Sequence, residues 1–137
     1  MTRVAVLGSG SWGTAFSLVM AEAGQDVMLW ARRPELAAAI NADRMNVDYL
    51  PDLVLPQNIR ATSDVAEATD GAQIVVLAVP SQSLRENLGR WGDHIGEDAA
   101  VVSLMKGIEL DTGKRMSEVI TDAAGIDPAR VVVVSGP

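Results

Sequence analysis

The stretch Val4-Ala5-Val6-Leu7-Gly8-Ser9-Gly10-Ser11-Trp12-Gly13-Thr14-Ala15 constrains this chain more than any other. An apolar, β-branched run of strand length feeds three glycines in G-x-G-x-x-G spacing, and Ala15 to Ala23 continues as a helix. Each glycine has a physical task in such a turn. Gly8 allows the tight exit from the strand, Gly10 lets backbone approach a pyrophosphate with no Cβ in the way, and Gly13 lets the new helix pack closely on the sheet. Free N–H groups at the helix start then face the phosphate charge. The spacing alone also occurs in structural glycine loops, so context decides. Here a strand precedes it, a helix follows, and a second apolar run starts near Asp26. The expectation is a dinucleotide-binding turn.

Strand and helix signals alternate along the rest of the chain. Strands are expected at Arg3 to Leu7, Val27 to Trp30, Ile59 to Ala61, Ile74 to Val79 (stopped by Pro80), Ala99 to Leu104, and Val131 to Val134. Between them fall helices from Trp12 to Ala23 with Gly24 as the stop, and from Pro34 to about Asp43. Val65 to Thr69 follows, capped by Asp64, then about Gln82 to Trp91, and Arg115 to Ala124 closed by Gly125. Arg44 to Asn58 is irregular, long enough to be functional or loosely held. Six β-branched runs, most of them apolar throughout, predict an α/β fold: a doubly wound parallel sheet with helices on both faces. With the glycine turn on the first strand, the expected strand order is 3-2-1-4-5-6, with a ligand across the carboxyl ends of the strands.

Composition narrows the partners. A chain of 137 residues suits one domain, and no apolar run approaches the ~18 residues of a membrane span. Net charge is −7 with no basic run and one tyrosine and one phenylalanine, which argues against nucleic-acid binding. The absence of cysteine excludes a disulfide framework and thiolate chemistry and fits a reducing cytoplasm. Met1-Thr2-Arg3 runs into the first strand, so no leader is expected. The acids Asp93, Glu97, Asp98, Glu118 and Asp122 form no metal spacing, so no metal is expected.

The candidate chemistry sits at strand ends. After the second strand comes Trp30-Ala31-Arg32-Arg33, with no acid at the tip to take a ribose 2′-hydroxyl. Two guanidinium groups there suit a 2′-phosphate, so Arg32 and Arg33 favour NADPH over NADH; the bland alternative is that they merely solvate a loop. Ser11 and Thr14 are candidate phosphate donors, and Trp12 is weighted for its backbone N–H more than for its ring. Lys106 follows the fifth strand and should face the ligand crevice, with a solvated loop lysine as the alternative. Pro80 should shape the loop after the fourth strand and Ser81 should cap the next helix. His94, the single histidine, lies before a strand's amino end and reads as structural or surface.

These motifs resemble the opening of the bacterial NAD(P)-dependent glycerol-3-phosphate dehydrogenases. The glycine turn with Trp12, Trp30-Ala31-Arg32, Asn46 with Tyr49-Leu50-Pro51, and Leu55-Pro56-Gln57-Asn58-Ile59 carry the likeness. So do Thr62-Ser63-Asp64, Val79-Pro80-Ser81, Ser103-Leu104 before Lys106-Gly107-Ile108-Glu109, and the terminal Ser135-Gly136-Pro137. Asp52 departs from it, since such proteins usually carry glycine there. The resemblance implies a Rossmann fold and reversible hydride transfer, reducing dihydroxyacetone phosphate to sn-glycerol 3-phosphate for phospholipid synthesis. It places cofactor contacts at Ser11, Trp12, Arg32, Arg33, Tyr49 and Lys106, and substrate contacts at Lys106 and Gly136. It also implies that residues 1–137 are the cofactor-binding domain, and that a helical domain beyond Pro137 holds a lysine general acid and bears on homo-oligomer formation. The chain alone would then bind nucleotide without turnover. Two other readings stay open: another two-domain reductase of small hydroxy acids, such as a ketopantoate reductase or β-hydroxyacid dehydrogenase, and a stand-alone nucleotide-binding or redox-sensing module.

Overall fold

The computed structural model describes residues 2–46 and 52–134. Its strands are β1 (Arg3–Leu7), β2 (Asp26–Trp30), β3 (Ile59–Thr62), β4 (Ile74–Leu77), β5 (Ala100–Ser103) and β6 (Val131–Val133). Its helices are α1 (Ser11–Glu22), α2 (Pro34–Asp43), α3 (Val65–Thr69), α4 (Leu84–Trp91) and α5 (Met116–Ala124). The strands pair in parallel in the order β3-β2-β1-β4-β5-β6, as the sequence predicts.

Period-two alternation sends each central strand's side chains to opposite faces. Ala5, Leu7, Val75, Leu77 and Val101 meet Ala68 of α3, Leu84, Leu88 and Trp91 of α4, and Val119 and Ile120 of α5. Val4, Val6, Val27, Leu29 and Val76 meet Ala21 of α1 and Leu36, Ala37 and Ile40 of α2. Because β1 is covered on both faces, Val4 to Leu7 are wholly buried, which accounts for the continuous apolar run. Cover thins at the β6 edge, where Val132 and Val133 are about half exposed, at 49% and 55%. That strand has a neighbour on one side only, β5.

Several element ends differ from expectation for local reasons. β4 stops at Leu77 rather than Val79. Ala78 still donates its N–H to Leu7, but its own carbonyl is crowded against Gly8, and Pro80 has no N–H to continue a ladder. Residues 81–83 form a 3₁₀ turn, so the following helix begins at Leu84. Ser81 therefore starts that turn instead of capping α4, and the Ser83 hydroxyl donates back to the Pro80 carbonyl at 2.8 Å. Asp64 caps α3 as expected, accepting from the Ala66 N–H at 2.9 Å. α2 ends on Arg44 in the left-handed region at φ 55°, the one non-glycine with positive φ among the described residues.

Candidate functional site

The turn between β1 and α1 is shaped by contact with β4. Gly8 sits at φ +132°, and a Cβ there would lie 2.2 Å from the Ala78 carbonyl oxygen. A Cβ on Gly13 would lie 2.1 Å from the Gly8 carbonyl oxygen and 3.2 Å from the Ala78 Cβ. Both positions therefore admit no side chain. Gly10 is the N-cap of α1, and nothing lies within 4 Å of where its Cβ would project. The first turn of α1 carries N–H groups that no helical carbonyl satisfies and contains no acidic residue, so the positive end of the helix dipole is not neutralised locally.

This turn forms one wall of a cleft of about 650 Å³ at the carboxyl ends of the strands. Gly8, Ser9, Gly10, Ser11, Trp12 and Gly13 line it, together with Trp30 and Arg32 at the end of β2 and Ala78 to Pro80 after β4. Arg32 is exposed and makes no ion pair among the described residues. Arg33 is not part of the wall; it is the exposed N-cap residue of α2. The opposite wall was not foreseen from sequence. Ser83, Glu86, Asn87 and Arg90 reach the cleft from α4 and the residue before it, with Arg90 donating to Asn87 at 2.8 Å. Their spacing of three, four and seven residues is one helical face, flanking the buried Leu84, Leu88 and Trp91. That polar stripe was the available signal.

A second cleft of about 200 Å³ adjoins the first across Trp12, Ala78 and Val79. Ser81, Leu104, Met105 and Lys106 complete it. Trp12 is 47% exposed, with its ring edge-on to Phe16 and its indole N–H donated to the Leu104 carbonyl at 3.2 Å. The ring thus divides the two clefts, a larger part than the sequence reading gave it.

The segment after Lys106 folds back on itself through a bridge between Ile108 and Arg115. The Gln82 side chain pairs with it as a strand would, donating to the Ile108 carbonyl at 2.9 Å and accepting from the Leu110 N–H at 3.0 Å. Arg85 on α4 grips the Glu109 carboxylate with Nε at 3.0 Å and Nη2 at 3.1 Å. Its Nη1 reaches Asp122 at 2.9 Å, and Lys114 reaches the same carboxylate at 3.0 Å. The Arg85 hydrogen bond, seconded by the Thr112 hydroxyl, holds Glu109 below the usual carboxylate range. Lys114 and then Arg85 do the same to Asp122.

Thr14 corrects one expectation. It is fully buried, and its hydroxyl donates to the Ser9 carbonyl at 3.1 Å, so its proton does not face the cleft. Asn46, also fully buried, donates to the Ser9 carbonyl at 2.8 Å and to the Thr14 hydroxyl at 2.9 Å. Sequence reasoning quoted Asn46 only as part of a motif and gave it no task. Tyr49 and Gly136 lie outside the described residues, as does the Ser135-Gly136-Pro137 ending. His94 is exposed on a short 3₁₀ turn away from both clefts. Among the described residues no acidic or histidine cluster could hold a metal, and no helix is long and apolar enough to cross a membrane.

Residues 3–137 match the family model described as NAD-dependent glycerol-3-phosphate dehydrogenase N-terminus. The chain is 56% identical over 135 residues to glycerol-3-phosphate dehydrogenase [NAD(P)+] of Streptomyces avermitilis, covering 98% of this chain and 40% of that protein. Its fold is similar to the crystal structure of glycerol-3-phosphate dehydrogenase from Coxiella burnetii, with a TM-score of 0.85 at 28% identity over 98% of this chain and 40% of that one. The Saccharomyces cerevisiae glycerol-3-phosphate dehydrogenase structure gives a TM-score of 0.84 at 29% identity over 98% of this chain and 41% of that one. The chain thus spans about 40% of the length of the curated relative it matches.

Proposed function

The chain belongs to the family of N-terminal domains of NAD-dependent glycerol-3-phosphate dehydrogenases, and from that membership we propose that it is the dinucleotide-binding half of an NAD(P)-dependent sn-glycerol-3-phosphate dehydrogenase that prefers NADPH. The observation that carries the reading is the larger cleft: an unneutralised helix N-terminus behind a glycine turn, with Arg32 lining the same cleft. Its residues fit a dinucleotide. The glycine turn leaves open space beside Gly10, and the amides of the first turn of α1 supply donors for a pyrophosphate. Arg32, with Arg33 beside it, supplies a guanidinium for a 2′-phosphate, and no carboxylate stands at the end of β2 to repel one.

A bound nicotinamide cofactor would supply the hydride for reversible reduction of dihydroxyacetone phosphate to sn-glycerol 3-phosphate. Lys106, in the adjoining small cleft, is the cation that would hold substrate oxygens beside it. Tyr49 as a cofactor contact and Gly136 as a substrate contact complete the proposal from the family likeness. The proton for the developing alkoxide has to come from another group, which we place in a helical domain beyond residue 137. These 137 residues alone would then bind nucleotide without turnover.

Calorimetric titration of the chain with NADPH and NADH, repeated for Arg32→Ala, tests the reading. NADPH should bind roughly 10-fold or more tightly than NADH, and the substitution should erase the difference, as expected for one charge-assisted contact. Equal affinity for both cofactors in the parent chain would remove the NADPH preference. Binding of neither would remove the dinucleotide site, and measurable reduction of dihydroxyacetone phosphate by the purified chain would overturn the division of labour.

A further inference from the structure

We infer that Asn46 is a positioning residue for phosphate binding, which with the Thr14 hydroxyl holds the Ser9 carbonyl inward and so directs the Gly10 N–H into the cleft. The inference rests on the larger cleft being a dinucleotide site. The three groups form a closed triangle: Asn46 Nδ2 to Ser9 O at 2.8 Å, Asn46 Nδ2 to Thr14 Oγ1 at 2.9 Å, and Thr14 Oγ1 to Ser9 O at 3.1 Å. Both lone pairs of the Ser9 carbonyl are occupied from the interior side. In a planar trans peptide the following N–H points opposite to the carbonyl. The Gly10 N–H is thereby aimed away from Asn46, and Ser9 and Gly10 line the cleft on that other side.

The choice of amide is informative. Its Oδ1 is buried with no partner, which an apolar residue of similar size would avoid. Rotating the amide would bring Oδ1 against the Ser9 carbonyl oxygen, acceptor facing acceptor, and lose both donations. The side chain is thus held in the one orientation that donates twice into the glycine turn, at the expense of an unsatisfied acceptor. The anchor is also remote in sequence, since 37 residues separate Asn46 from Ser9. It is held in place by its neighbour but one, Arg44, whose guanidinium donates to the Pro56 and Ile59 carbonyls. Such a clamp prepays the ordering of a glycine-rich turn before the phosphate arrives.

Asn58 provides a matched control. It donates twice as well, to Ala21 O at 2.8 Å and Gln25 O at 2.9 Å, but touches nothing in the glycine turn. The experiment titrates the parent chain, Asn46→Ala, Thr14→Val, Thr14→Ser and Asn58→Ala with NADPH and with adenosine 2′-monophosphate, and records each melting temperature. The second probe carries the 2′-phosphate for Arg32 but no pyrophosphate. Asn46→Ala and Thr14→Val should each lose about 10-fold in NADPH affinity while keeping their affinity for adenosine 2′-monophosphate. Thr14→Ser, which keeps the hydroxyl, should bind NADPH nearly as the parent does, and Asn58→Ala should lose melting temperature without losing NADPH affinity. If Asn46→Ala does not fold, Thr14→Val against Thr14→Ser decides alone. Parent-like NADPH binding by Thr14→Val, or equal losses for both probes, would overturn the inference. Failure of the parent chain to bind NADPH would instead remove the dinucleotide reading and the inference with it.

Discussion

Two loops meet at the smaller cleft, through Trp12 and Lys106, and are held by different physics. The glycine turn from Gly8 to Gly13 is set by steric contact with Ala78 and by the buried Asn46–Thr14–Ser9 hydrogen bonds. The loop that carries Lys106 is set by charge: Arg85, partly open to solvent, on the buried Glu109, with the partly exposed Asp122 and Lys114 beside them. Steric and buried hydrogen-bond restraints respond little to salt or mild acid, whereas partly exposed ion pairs respond to both. The glycine turn is therefore built to stay fixed, and the loop presenting Lys106 is tied by a bond that conditions can loosen.

The comparison breaks most visibly at Gly13. A methyl group there has to fit within 2.1 Å of a backbone oxygen, so Gly13→Ala should lower stability by about 3 kcal/mol and the melting temperature by about 10 °C, with loss of nucleotide binding. Thermal denaturation checks it, and a Gly13→Ala chain that melts like the parent would show that the turn is not sterically set. Arg85→Ala comes next. It should speed amide exchange across residues 107–112 by about 10-fold while leaving the glycine turn protected, as hydrogen exchange followed by NMR would show.

The smallest effect expected is that of pH. Glu109 and Asp122 both have depressed values in the folded chain, so the stability they contribute is fully present above their unfolded values. It is lost as pH falls below those values and through the folded ones. Amide exchange, corrected for its intrinsic pH dependence, should therefore rise in residues 107–112 before it rises in residues 8–14. High salt at neutral pH should move the same loop in the same direction. Simultaneous loosening of both loops would erase the distinction.

The sheet order was legible because it follows from the buried apolar runs and one glycine turn, features that act over short stretches. The roles of Gly8 and Gly13 were legible too, since glycine at those spacings has few other uses. Element ends were read less well where tertiary contact overrides pattern, as at Ala78, whose crowding against Gly8 ends β4 early. Thr14 was misassigned because a hydroxyl in a glycine turn looks the same in sequence whether it faces in or out. Asn46 had no local signal at all, since its partner is 37 residues away. The α4 face, by contrast, could have been found by counting Ser83, Glu86, Asn87 and Arg90 as one stripe.

That same helix walls one cleft and is tied to the loop that borders the other. One of its faces walls the larger cleft, while Arg85, with Gln82 just before the helix, holds the strand-like segment after Lys106. Mechanically it is a shared bearing, so a rigid-body shift of α4 is delivered to the Lys106 loop whichever cleft it starts from. If filling the larger cleft moves α4 by even a few tenths of an ångström, the two sites are energetically linked, and by reciprocity each ligand alters the other's affinity by the same factor. The strength of that coupling would then be a property of one eight-residue helix rather than of either pocket.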